Sequence, residues 1–202
     1  MIDFAATFIF FFAVIDPIGT VPVFIAVTRQ QDIRARKRVA LIATLASAAI
    51  LVFFVVAGEL ILTAMDIPLS AFRVAGGIVL FLFALSMIFG ESKPEHELKL
   101  ATSGSESAIF PLAVPTIAGP SAMLAAVLRT ENAQYSFLEQ LQITVTMLGV
   151  LLVVFLLWRG ASWVHRLIGN SGASIISRVM GLILASLAAA NTLAGIKEYF
   201  AL

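Results

Sequence analysis

Asp16-Pro17-Ile18-Gly19-Thr20-Val21-Pro22 interrupts one long apolar stretch, and Pro115-Thr116-Ile117-Ala118-Gly119-Pro120-Ser121 interrupts another about a hundred residues later. A proline removes a backbone donor and frees the carbonyl one turn before it, and glycine weakens the helix further. In hydrocarbon such a break survives only where the loosened backbone is buried in protein or lines a polar cavity. Two broken membrane helices in matching places point to a transporter.

The rest of the chain supports a membrane setting. Of its 202 residues 60% are hydrophobic and 12% charged, and the mean hydropathy is +1.03. Six stretches can cross a core of about 30 Å as helices, roughly residues 4–28, 39–63, 70–90, 107–129, 140–164 and 174–197. The first lacks a basic leader and a cleavage site, so it is expected to remain as helix 1. With no cysteine in the chain, disulfides, thiolate metal sites and thiol catalysis are excluded. His96 and His165 stand in no cluster at metal-ligand spacing, so no metal site is expected.

Charge placement sets the expected orientation. Ten of the thirteen Lys and Arg fall on one side: Arg29, Arg34, Arg36, Lys37, Arg38, Lys93, Lys99, Arg159, Arg166 and Arg178. Arg73, Arg129 and Lys197 fall on the other. The positive-inside rule then places the loops after helices 1, 3 and 5 in the cytoplasm and both termini outside. The run from Arg29 to Arg38 beside a membrane helix reads as a topology signal and a contact for anionic headgroups, not as a nucleic-acid site.

The two halves also match each other. Arg73-Val74-Ala75-Gly76 aligns with Arg178-Val179-Met180-Gly181, Thr44 with Thr146, Gly58 with Gly160, Pro17 with Pro115 and Pro22 with Pro120. Three crossings per half is an odd number, so the second copy must run opposite to the first. The expected fold is an all-α integral membrane protein of six transmembrane helices, built as two inverted three-helix repeats with helices 1 and 4 broken near the midplane. Repeat one covers 1–90, a polar linker 91–106 and repeat two 107–202, forming a single membrane domain.

At each break the second half-helix presents free amides at its positive end and the first presents free carbonyls. Amides can receive a carboxylate and carbonyls an ammonium group. Asp16 is the only carboxylate that this topology places deep in a span, where acids serve as proton relays, ion ligands or counter-charges. Asp followed by Pro is equally a helix start, with Asp as N-cap and Pro at the first position. Thr20, Thr116 and Ser121 add hydroxyls that either face a ligand or bond carbonyls of their own helices. Gly19 and Gly119 allow tight backbone or close approach of a small ligand, whereas Gly76, Gly77 and Gly181 read as helix-packing contacts. Arg73 and Arg178 are expected to snorkel to the headgroups, and Asn191 and Ser86 can bond across helices.

These residues together resemble the MarC family of six-helix bacterial inner-membrane proteins, which includes the SnatA-type neutral amino-acid transporters. The family shows an Asp-Pro-x-Gly-Asn-x-Pro motif in helix 1 and an Ala-Gly-Pro-Gly type motif in helix 4. Here these read Asp16 to Pro22 and Ala118-Gly119-Pro120-Ser121, and Arg73-Val74-Ala75-Gly76-Gly77-Ile78 looks like the start of the family's third helix. Thr20 stands in place of the usual Asn and Ser121 in place of a Gly. The resemblance implies transport of glycine, alanine and similar small neutral amino acids across the inner membrane.

The leading expectation is therefore a secondary transporter working by alternating access, not an enzyme. It needs no cofactor beyond a coupling proton or sodium ion, and its partners are the bilayer and a small neutral amino acid, with the oligomeric state left open. The expected substrate-binding residues are Asp16, Pro17, Gly19, Thr20, Val21, Thr116, Ala118, Gly119, Pro120 and Ser121. An ion or metal permease is the alternative; an accessory or drug-resistance membrane protein and an intramembrane enzyme rank below it.

Overall fold

Asp3 opens the first helix by accepting the amides of Ala5 and Ala6 on Oδ1, both at 3.0 Å, which satisfies two of the four donors a helix start leaves free. The computed structural model of the chain describes residues 2–89, 108–132 and 134–200. The linker expected at 91–106 lies outside the described residues. Helix α1 (Phe4–Ile15) and α2 (Thr20–Val27) meet at a bend of 43°. Then follow α3 (Ile33–Ala64), α4 (Leu69–Phe89), a π-helix (Ala108–Ile117), α5 (Pro120–Arg129), α6 (Phe137–Arg159) and α7 (Ala161–Tyr199). The π-helix and α5 form the second bent pair, at 54°.

Helices α3, α4, α6 and α7 are each long and apolar enough to cross a membrane, and counting each bent pair as one span gives up to six. The two breaks thus fall in the two segments where the proline motifs placed them. Helix α3 buries mostly small residues and shows large apolar ones, whereas α6 buries large ones, among them Ile143, Met147 and Trp158. Along α3, Ala40, Ala43, Ser47, Leu51 and Gly58 are buried, while Leu45, Phe53, Val56 and Leu60 are more than half exposed. That pattern inverts a soluble amphipathic helix and fits a surface solvated by lipid tails.

The closest pairing is between α4 and α7. A methyl group on Gly77 would stand 2.9 Å from the carbonyl oxygen of Ala188, one on Gly181 would stand 3.1 Å from that of Ala84, and one on Gly195 2.9 Å from that of Ser70. The expectation that Gly77 and Gly181 serve helix packing holds. Gly76 is also a packing position, but it faces Leu124 and Leu128 of α5.

Helix α6 starts at a capping box in which the backbone amide and hydroxyl of Ser136 both donate to the Glu139 carboxylate. It ends at Arg159, and only Gly160 separates it from α7. The expected polar connection at 165–173 is instead helical, broken at Gly169, where φ 67° and ψ 177° suit a residue without a side chain. Arg, His, Asn and Ser in this stretch read as a loop because its exposed face is polar, but Ala161, Val164 and Ala173 are buried.

Packing sets the bent pairs against each other crosswise. Helix α1 contacts α5 and α2 contacts the π-helix, while α7 runs against both α1 and α2.

Candidate functional site

Asp16 ends α1 in the left-handed conformation, with φ 51° and ψ 64°. Few side chains other than Asn and Asp tolerate that region. Its amide donates to the Phe12 carbonyl at 2.9 Å, closing α1, and its own carbonyl accepts from the Thr20 amide at 3.1 Å, opening α2. Oδ1 takes the Gly19 amide at 3.1 Å. The sequence reading made Asp16 the N-cap of the second half-helix with Pro17 at its first position; instead Asp16 is the C-cap of α1, Pro17 lies in the turn, and Gly19 precedes the first residue of α2, Thr20.

The other carboxylate oxygen has a distant partner. Ser177 of α7 donates its hydroxyl to Asp16 Oδ2, and Asp16 is fully buried. Gly19 supplies the room for this pair: a side chain there would run into the Asp16 carboxylate and come within 2.6 Å of Ser177 Oγ. Burying a carboxylate in apolar surroundings is costly unless donors meet it, and here a backbone amide and a hydroxyl do so.

Thr20 takes part in a second long-range link. Its hydroxyl donates to the Pro17 carbonyl at 2.7 Å, within the break, and accepts from the indole Nε1 of Trp158 at 3.0 Å. The same indole stacks on Phe24, with centroids 4.7 Å apart and planes 13° from parallel. Ser177 and Trp158 were absent from the expected site. The only hint in the sequence is a small hydroxyl in one apolar helix and one of the chain's two tryptophans near the end of another.

The second break is built differently. The Ala118 amide reaches back five residues to the Ala113 carbonyl at 2.8 Å, the wide spacing of a π-helix. Gly119, in extended conformation, leads into α5 with Pro120 at its first position. Its carbonyl accepts from the amides of Ala122 and Met123, both at 3.0 Å. A side chain on Gly119 would lie 2.7 Å from the Pro115 carbonyl oxygen. The Thr116 hydroxyl is buried without a hydrogen-bond partner, so of the two readings open for it, the bond to a carbonyl of its own helix is not made. From α3, Ser47 donates to Ala43 at 2.8 Å and lies 3.5 Å from the Ala113 carbonyl of the π-helix. Of the expected site residues Asp16, Pro17, Gly19, Thr20, Val21, Thr116, Ala118, Gly119 and Ser121 are buried, and Pro120 is exposed.

Cavities lie at both ends of the bundle. One of about 200 Å³ is lined by Arg73, Leu128, Arg129, Gln134, Tyr135, Asn191 and Ala194, at the end where α1 starts and α7 finishes. The other, of about 210 Å³, lies at the opposite end and includes Phe24 and Trp158. Toward the first cavity the Arg129 guanidinium covers the ring of Phe10 at 4.3 Å, and Phe10 is six residues, roughly 9 Å of helix, before Asp16. Asp16 itself is closed off from both ends in this conformation.

Arg73 corrects the sequence reading. It does not snorkel but is 7% exposed, pairing with Glu131 after α5 and with Glu198 of α7 at 2.6 Å. Turning the Gln134 amide lets its oxygen accept from Arg73 Nη2 at 2.6 Å and Nη1 at 3.1 Å. Burial pushes the Glu131 carboxyl above its ordinary pKa, and Arg73 acts against that rise. Arg178, in contrast, is exposed. Ser86 bonds the Phe83 carbonyl of its own helix at 2.7 Å, while Asn191 lines the cavity beside Arg73.

With this geometry established, comparison with known proteins yields one family. Residues 1–200 match the family described as MarC family integral membrane protein. The UPF0056 membrane protein YhcE of Escherichia coli strain K12 is 35% identical over 98% of this chain and 95% of its own. A UPF0056 membrane protein of Methanocaldococcus jannaschii is 34% identical over 96% of both chains, and one of Aquifex aeolicus is 30% identical over 96% and 92%. No solved structure matches.

Proposed function

We propose, from the premise that this chain belongs to the MarC family of integral membrane proteins, that it is a secondary transporter of small neutral amino acids. The observation that carries this reading is the crosswise contact of two bent helix pairs, one of which holds a fully buried aspartate at its bend. Half-helices that meet in the middle of a membrane protein offer both ends of a zwitterion a partner. Amides near Gly119 to Ser121 face the substrate carboxylate, whereas those of Gly19, Thr20 and Val21 bond within the first break and reach a substrate only if that break rearranges. Asp16 and the free carbonyls of the first half-helices face its ammonium group.

In this reading the two halves, 1–90 and 107–202, are inverted repeats joined by 91–106, and the termini lie on the periplasmic side of the inner membrane. The buried, unpartnered Thr116 hydroxyl supports a polar contact at the second break. Small residues around both breaks suit glycine and alanine better than bulky substrates. Alternating access then requires the Phe10–Arg129 contact and the Phe24–Trp158 stack to open in turn. A proton or a sodium ion at Asp16 couples the cycle to a gradient.

The reading is tested by the melting temperature of the purified protein against a panel of amino acids. Alanine, glycine or serine at a hundredfold excess over Kd should stabilise it by about 2.7 kcal/mol through mass action. Stabilisation by none of the small neutral amino acids would count against the proposal.

A further inference from the structure

The cavity at the end opposite the start of α1 opens between the end of α2, the start of α3 and the α6–α7 junction. Its walls are of two kinds. Ile25, Ile33 and Ala161 give it an apolar side, while Arg36, Lys37 and Arg159 give it three cations. These cations come from helices more than a hundred residues apart in sequence. Like charges gathered around one cavity repel each other unless an anion lies among them.

Among the described residues no carboxylate lines this cavity. The nearest acid in sequence, Asp32, caps α3 by accepting the Ala35 amide at 2.7 Å. Arg36 is fixed before any ligand arrives, because its Nε donates to the carbonyls of Thr28 at 3.0 Å and Gln31 at 3.1 Å, and its Nη2 to that of Arg29 at 3.1 Å. The Arg159 guanidinium is placed over the Phe155 ring, 5.7 Å from its centroid. Pre-placed cations bind an anion with little ordering cost.

The depth of the cavity indicates which anion. Helices α2, α3, α6 and α7 all begin or end beside it, so it lies where apolar spans give way to charge. That is the level of lipid headgroups. A free anion would need only the cations. The apolar wall next to them matches the glycerol backbone and first methylenes of a lipid.

We propose that this cavity binds the phosphate of an anionic phospholipid, with Lys37 and Arg159 on the phosphate and Ile25, Ile33 and Ala161 against the lipid's apolar part. The Thr28 hydroxyl, which donates to Phe24 at 2.7 Å, retains acceptor capacity for a headgroup hydroxyl. Trp158 lines the same cavity and bonds Thr20, so an occupant touches the first break through one side chain. The site stands apart from the transport reading and does not depend on it.

Native mass spectrometry of the purified protein with phosphatidylglycerol or phosphatidylcholine tests the proposal. Wild type should retain phosphatidylglycerol about tenfold better, as expected for two cations near a phosphate. The double variant Lys37→Gln/Arg159→Gln should lose that preference while keeping its helicity and its binding of phosphatidylcholine. Arg34→Gln/Arg38→Gln, which removes two exposed cations outside the cavity, should keep the preference. Equal retention by the two double variants overturns the site. Inorganic phosphate alone raising the melting temperature as much as phosphatidylglycerol does overturns the lipid as its ligand.

Discussion

The hydroxyl of Ser177 donates to the carboxylate of Asp16 across 161 residues of sequence, tying the middle of α7 to the bend between α1 and α2. Replacing the carboxylate by an amide keeps the shape and an acceptor for the Gly19 amide. Asp16→Asn should therefore fold with a melting temperature near that of wild type and lose the activity that depends on charge. Asp16→Ala strands both donors in a buried place and should cost roughly 2 kcal/mol of stability. Chemical denaturation of the two variants separates the structural role from the functional one.

Trp158 and Thr20 form a pair that a double-mutant cycle can isolate. Trp158→Phe keeps a ring to stack on Phe24 and removes the indole donor, so it should destabilise by about 1 kcal/mol. Thr20→Val should cost a similar amount, and the double variant much less than the sum, since both remove one interaction. Additive losses would mean that the two side chains act separately.

Gly19 has no room for a side chain. Gly19→Ala should destabilise by about 2 kcal/mol through overpacking against Asp16 and Ser177. Combining it with Ser177→Gly should recover part of that loss, a sign that thermal melts of the three proteins can read.

Arg73 predicts a pH dependence. Removing it in Arg73→Gln leaves the buried Glu131 carboxylate without its cation and should cost about 3 kcal/mol at neutral pH. Burial already raises the Glu131 pKa above 4.5, and loss of Arg73 removes the opposing influence. The folded variant then holds a proton that the unfolded chain releases above 4.5, so its stability falls as pH rises from there. The variant should be closer to wild type at pH 5 than at pH 8, and a defect equal at both would contradict the assignment.

The bends were legible because proline and glycine act on their own backbone, and the effect does not need a partner to be known. A bond from the Asp16 side chain to a nearby amide was legible for the same reason, since it closes within three residues, but that Asp16 ends α1 instead of starting α2 was not. Ser177 and Trp158 were not legible, since a hydroxyl and an indole in apolar helices carry no address. Arg73 was misread for a related reason: a cation near a helix start reaches headgroups by default, and only the fold brings Glu131 and Glu198 to it. The π-helix also escaped the sequence reading. Pro115 and Pro120, five residues apart, announce a break, but whether the backbone widens or turns left-handed depends on what packs around it.

The account's central claim is that the paired bends carry small neutral amino acids. It is tested most directly by counterflow in liposomes that hold the purified protein and unlabelled alanine. Labelled alanine added outside should accumulate transiently in wild-type vesicles and not with Asp16→Asn of matched melting temperature. No accumulation of alanine, glycine or serine above protein-free liposomes, with or without proton and sodium gradients, would contradict the transport claim. Equal accumulation by Asp16→Asn would contradict the role given to the buried carboxylate.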